Sequence, residues 1–115
     1  MTYRGSCHCG RIAFEVDGTL TKAVECNCSI CRRRGALHWF VPRDDFRLLT
    51  PESDLEAYTF NKNAITHRYC PSCGCAPFSE GIAPSGQYMV SVNTRCLDDV
   101  DLSALAIGHF DGRSL

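Results

Sequence analysis

Long apolar runs are missing from this chain. None approaches the ~20 residues that a helix needs to cross a bilayer, and no membrane partner is expected. The opening residues, Met1-Thr2-Tyr3-Arg4-Gly5-Ser6-Cys7, lack the apolar stretch of a secretory signal, which predicts a cytoplasmic protein. An excess of one charge is missing too. Lys and Arg number 12 against 13 Asp and Glu, a formal net charge of -1, so no overall field favours nucleic acid or an anionic membrane. Internal repeats, low-complexity tracts and long stretches of helical periodicity are absent as well. What remains is an ordinary globular composition, 44% apolar and 22% charged over 115 residues, predicting a single domain over 1–115.

Strand patterns dominate. Arg11 to Val16 alternates polar and apolar residues and ends at Asp17-Gly18, which predicts a strand running into a hairpin-type turn. Ala36 to Val41 is mostly apolar and Pro42 ends it, as in a strand. Leu55 to Phe60 and Ala64 to Tyr69 both alternate, separated by the turn-rich triplet Asn61-Lys62-Asn63. Tyr88 to Val92 is a further strand after the turn Pro84-Ser85-Gly86. Only Ser29 to Arg34 and Leu97 to Leu105 have a helical look, and both are short. Short strands joined by turns predict an all-β domain of two small sheets with short helical turns. So small a β-structure would gain from a metal staple.

Cysteine is the residue in excess. There are nine, an odd number, and in a reducing compartment that many in a short chain read as metal ligands or reactive thiols rather than disulfides. Seven fall into three clusters: Cys7-His8-Cys9-Gly10, Cys26-Asn27-Cys28-Ser29-Ile30-Cys31 and Cys70-Pro71-Ser72-Cys73-Gly74. The last is a knuckle, a tight turn that aims two sulfurs at one ion while its amides offset their charge. Zinc is held tetrahedrally by four ligands in a closed site. Either Cys7 and Cys9 or part of the middle cluster could complete the knuckle. The middle cluster decides between them. Three thiols within six residues can wrap one face of a single ion, and three protein ligands with an exchangeable fourth position is the layout of a reactive zinc. Cys7, Cys9, Cys70 and Cys73 then make a closed structural zinc site, and Cys26, Cys28 and Cys31 an open catalytic one. Two zinc ions per chain are expected, the catalytic one held more loosely.

These motifs carry a resemblance. Ser6-Cys7-His8-Cys9-Gly10, Cys26-Asn27-Cys28-Ser29-Ile30-Cys31-Arg32 and Tyr69-Cys70-Pro71-Ser72-Cys73-Gly74 are similar to the signature of the glutathione-dependent formaldehyde-activating family, which also contains centromere protein V. Asn93 to Asp98 and Phe110-Asp111-Gly112 resemble its later segments, so the similarity runs from about Tyr3 to Gly112. The resemblance implies a zinc-stapled fold of two sheets, like that of zinc-type methionine-sulfoxide reductases. It implies the same division of ligands, Cys7, Cys9, Cys70 and Cys73 for structure and Cys26, Cys28 and Cys31 for catalysis. The activity it implies is the reversible condensation of glutathione with formaldehyde to S-hydroxymethylglutathione, a carbon–sulfur lyase reaction whose partners are a small thiol and an aldehyde.

Other residues admit a sharp and a bland reading. Cys75 could approach the first metal but reads more simply as a small buried hydrophobe. Cys96 could be a redox thiol, with a buried structural cysteine at a strand end favoured. His8 points away from its neighbours' ion and is a surface residue. His38, beside Trp39, could face the open site, though an ordinary strand position is the default. His67 and His109 carry no local motif and default to strand or surface positions. Arg32-Arg33-Arg34 either offsets the thiolate charge and attracts a substrate carboxylate or forms a solvated turn. Trp39 and Phe40 read as core residues, though one could wall the pocket. Two classes of function follow: an enzyme acting on a thiol–aldehyde adduct, and a non-enzymatic zinc module for binding protein or nucleic acid. The near-neutral charge argues against nucleic acid, and nothing in the sequence speaks to oligomeric state.

Overall fold

Alternation in the second strand shows how the core is built. Phe14 and Val16 are fully buried while Ala13, Glu15 and Asp17 flank them half-exposed, so the period of two sends one face inward. The structure, a computed structural model, describes residues 1–60 and 64–114. Within them ten strands form two sheets. The smaller has the order β1 (Thr2–Ser6), β2 (Ala13–Asp17) and β5 (Phe46–Leu48), all antiparallel.

The larger sheet has seven strands in the order β10, β3, β4, β9, β8, β7, β6. These are β3 (Lys22–Cys26), β4 (Leu37–Pro42), β6 (Glu56–Tyr58), β7 (Ile65–Tyr69), β8 (Phe78–Ile82), β9 (Tyr88–Asn93) and β10 (Ala106–Phe110). All pairings are antiparallel except β10, which runs parallel to β3. The expected two-sheet β fold is therefore present.

Side chains from both sheets meet between them. Phe14 stacks on Phe46 with centroids 5.3 Å apart, and Phe46 lies 4.6 Å from Phe78 of the larger sheet. Val41, Val90 and Val92 complete that side. Cys7 and Cys70 belong to the same buried cluster, so the first ligand group sits at the rim of the core rather than on the surface. Cys7 and Cys9 follow β1 of the small sheet, while Cys70 and Cys73 follow β7 of the large one. An ion shared among them would join the two sheets.

Several expectations are corrected. Asp17-Gly18 does not turn a hairpin: β2 pairs with β1 and β5, and the chain crosses at Gly18 to the other sheet. Gly18 has φ +144°, and a Cβ there would stand 2.9 Å from the Trp39 ring, so the crossing requires glycine. Leu97 to Leu105 is not a helix. The Asp98 N–H donates to Arg4 O at 2.8 Å, Asp99 takes the left-handed φ of 56°, and only a 3-10 turn at Leu102–Ala104 forms. Trp39 and Phe40 cannot share one face of a strand. Trp39 packs edge-on against Tyr3, whereas Phe40 is 53% exposed and stacks on His38. The turn expected at Asn61-Lys62-Asn63 lies outside the described residues.

Ser29–Arg34 is the expected short helix, α1, inserted between β3 and β4. It ends at Gly35, whose φ of 71° lets its N–H reach Cys31 O at 2.8 Å. The strand after Pro84-Ser85-Gly86 is also as expected: Gly86 N–H donates to Ala83 O and β9 returns against β8.

Candidate zinc sites

The fold gathers Cys7, Cys9, Cys70 and Cys73 so that all four sulfurs lie within 4.8 Å of one another. Cys9 Sγ is 3.7 Å from Cys7 Sγ and 3.6 Å from Cys70 Sγ. A zinc tetrahedron with arms of ~2.3 Å has sulfur–sulfur edges of roughly 3.8 Å. These gaps are far too wide for disulfides and close to that edge, so the donor set fits a four-thiolate zinc. Amides support the charge. The Ile12 N–H donates to Cys7 Sγ at 3.3 Å. The amides of Cys75 and Cys9 bring the Cys73 thiol down to about 5, and the amides of Cys73 and Ser72 lower Cys70. For Cys9 the Arg11 amide acts in the same direction, but burial and the surrounding thiols outweigh it and raise the group to about 11.

The second group is Cys26, Cys28 and Cys31, whose sulfurs also lie within 4.8 Å of one another. Cys26 ends β3, and Cys28 is the N-cap of α1. The Cys28 side chain makes no capping bond, which leaves it free to face its neighbours, and its N–H donates to Cys26 Sγ at 3.5 Å. Cys31 comes from the first turn of α1. Burial opposes ionisation of Cys28, but the amide and thiol of Cys31, then Cys26 and the Ile30 amide, hold it below the ordinary value. Burial first, and then Cys28 and Cys26, push Cys31 well above that value. Among the described residues no fourth donor joins this set. Three soft thiolates on one face fit a zinc ion with a position to spare.

Residues 2–109 match the family described as glutathione-dependent formaldehyde-activating enzyme. The chain belongs to this family. Its structure is also similar to the crystal structure of a Rhodobacter sphaeroides protein, at 29% identity and a TM-score of 0.81, over 93% of this chain and 99% of that one. The family match supports glutathione-dependent formaldehyde activation at family level.

In this family member the residues around the three-thiol group were only partly legible from sequence. His38 takes the reading that its motif left in the minority. Its Nε2 lies 3.2 Å from Cys31 Sγ and its Nδ1 2.6 Å from Ser91 Oγ, while burial lowers the imidazole's pKa and favours the neutral ring. His38 still falls outside the set of mutually close donors, so it supports Cys31 rather than extending the ligand set. His67, given no site role from sequence, lines the same cleft as Cys31, His38, Arg34 and Ser91. The only signal for either histidine is the pairing of β4 with β9 and of β7 with β8, which the sequence does not state. The cleft is narrow, with about 30 Å³ open to water-sized molecules, room for roughly two waters.

A wider groove of about 420 Å³ opens on the other side of Cys31, with Glu25, Cys26, Asn27, Arg32 and Arg95 among its walls. The three arginines after Cys31 spread around α1 instead of acting together. Arg32 lines this groove, Arg33 folds back to donate to Ser29 O at 2.8 Å, and Arg34 lies 5.9 Å above the Tyr69 ring beside the narrow cleft. Arg95 joins Arg32 from the 3-10 turn Thr94–Cys96 that follows β9, its guanidinium fixed by Nε–H donating to Gly35 O at 3.0 Å.

The remaining cysteines and histidines keep their bland readings. Cys75 and Cys96 are half-buried against the core, and burial pushes the Cys96 thiol up to about 12. His8 and His109 are exposed.

Proposed function

We propose that the protein, acting as one domain, is a zinc-dependent carbon–sulfur lyase that joins glutathione to formaldehyde and reverses that step. The observation that carries this reading is the meeting of two unlike clefts at Cys31, within a group of three thiols that has no fourth donor among the described residues. The reaction is an addition. The thiol sulfur bonds the carbonyl carbon, the C=O becomes C–OH, and the proton lost by the thiol ends on that oxygen, so no further reactant is consumed. Zinc held by Cys26, Cys28 and Cys31 would supply positive charge that favours the thiolate form of an incoming thiol.

The chain's own residues do the rest. The wide groove suits a tripeptide-sized thiol. Arg32 and Arg95, neither of them in an ion pair among the described residues, can hold its carboxylates there. The narrow cleft admits only a small carbonyl, with Ser91 and Asn93 as hydrogen-bonding walls for the oxygen that gains the proton. His38 holds Cys31 in place from behind.

Exchange of formaldehyde between its hydrated form and the glutathione adduct, followed by NMR, tests the proposal. Wild type is expected to accelerate exchange and Cys28→Ser to leave only the uncatalysed rate. Equal rates with and without wild-type protein would overturn it.

A further inference from the structure

Asn27 stands between two of the ligand positions and is itself no ligand, yet both polar groups of its side chain are engaged. Nδ2–H donates to Asp111 Oδ1 at 2.9 Å, and Oδ1 accepts the Arg113 N–H at 2.9 Å. The backbone N–H of Asn27 donates to Phe110 O at 3.3 Å. Ser114 Oγ–H in turn donates to Asp111 Oδ2 at 2.6 Å, which stiffens the segment that Asn27 grips. The parallel pairing of β10 with β3 brings that segment here by setting Phe110 opposite Cys26. Residues 110–114 then close over Cys26. A methyl group on Gly112 would stand 2.6 Å from Cys26 Sγ and 3.3 Å from Cys28 Cβ, so the Gly112 backbone packs close to the sulfur and any side chain there would displace it.

We propose that residues 110–114 are a strap, locked by Asn27, which holds Cys26 in its ligating orientation and sets how tightly the three-thiol site keeps its metal. The need for such a brace follows from the placement of the ligands. Cys28 and Cys31 ride on α1 and move with it, whereas Cys26 is the last residue of a strand. A site with three protein ligands has little affinity to spare, so an outer contact on one of them matters more than it would in the closed site. The inference rests on the reading of Cys26, Cys28 and Cys31 as a metal site. Within it, Asn27 is a positioning residue.

Zinc-loaded full-length protein would be mixed with the chromogenic chelator 4-(2-pyridylazo)resorcinol and the release of metal followed over time. Wild type is expected to lose one zinc in a fast phase and one in a slow phase, and Cys28→Ser to lack the fast phase. Asn27→Ala and Asp111→Ala should each accelerate the fast phase by about tenfold, the range typical of outer contacts on metal ligands, and leave the slow phase unchanged. Asp111→Asn keeps an oxygen to accept from Asn27 and should release zinc like wild type. If Asn27→Ala does not fold, the comparison of Asp111→Ala with Asp111→Asn decides the matter. Wild-type fast phases in both alanine variants would overturn the strap and leave the metal site standing. Acceleration of both phases together would also overturn it, since that marks a general loss of stability. A single zinc in wild type, or an unchanged fast phase in Cys28→Ser, would overturn the metal site and the strap with it.

Discussion

His38 and Cys31 come from different elements, β4 and α1, and meet with Nε2 3.2 Å from Sγ. The contact is held from the other side by Ser91, whose Oγ is 2.6 Å from Nδ1. A ring fixed at both nitrogens gives Cys31 one orientation. Loss of the ring should therefore act through the thiol. His38→Ala is expected to lower the rate of adduct formation by roughly 10- to 100-fold, with the second zinc and the circular dichroism spectrum unchanged. His38→Asn, which can still offer a hydrogen bond to Cys31, should recover part of the loss. Full activity in His38→Ala would show that the contact is incidental.

The two cysteine groups should respond oppositely to mutation. Cys28→Ser is expected to fold and to contain one zinc by elemental analysis. Cys70→Ser removes a buried thiol from the proposed four-thiolate site, where an ion would join the two sheets. Structural zinc is worth on the order of 10 kcal/mol in small zinc-folded units, comparable with the whole net stability of a small domain, about 5–15 kcal/mol. Cys70→Ser should therefore unfold or aggregate, and strong chelators should do the same to wild type. A well-folded Cys70→Ser protein with two zincs would contradict the assignment.

Recognition of the thiol should depend on Arg95. Removing one charged hydrogen-bonding partner in a solvent-open groove is expected to raise KM for glutathione about tenfold, with kcat unchanged. A small thiol without carboxylates should not distinguish Arg95→Ala from wild type. If both thiols suffer equally in steady-state assays, Arg95 is supporting Gly35 and the turn after α1 instead.

Acid stability should report on Asp17. Two hydrogen bonds from Arg47, at 2.7 and 3.0 Å, and then one from Thr2 hold its carboxyl well below the usual carboxylate range. A depressed folded pKa contributes stability in full above the unfolded value of ~3.9 and loses it as pH falls through the folded one. Between about pH 4 and pH 2 the unfolding midpoint of wild type should fall more steeply than that of Asp17→Asn. Parallel curves would show that the pairing adds nothing.

The sequence was most readable where chemistry is local. The cysteine spacings of Cys7 to Cys9, Cys26 to Cys31 and Cys70 to Cys73 are set within single turns, and the two groups assembled in space match them. Strands with strong alternation, such as the one holding Phe14 and Val16, were equally plain. What escaped was non-local or weakly patterned. β1 and β10 each contain a glycine, β5 is three residues long, and β10 is a mostly exposed edge strand with no apolar face to show. Leu97, Val100, Leu102 and Leu105 imitate a helical stripe, but the chain there is held by Arg4 and turned by Asp99. His38 could not be placed because its two partners, Cys31 and Ser91, lie 7 and 53 residues away.

The parallel pairing of β10 with β3 also orders events during synthesis. Cys9 and Cys70 are 61 residues apart, whereas Asn27 and its partner Asp111 are 84 apart. On a ribosome the four-thiolate ligands have all emerged once Cys73 is clear of the exit tunnel, while the wall behind Cys26 is still being made. A four-thiolate site of the kind proposed can assemble before 110–114 are in place, whereas Cys26 gains its contact with Gly112 only once they are. Until 110–114 follow, Cys26 lacks the cover that Gly112 gives it.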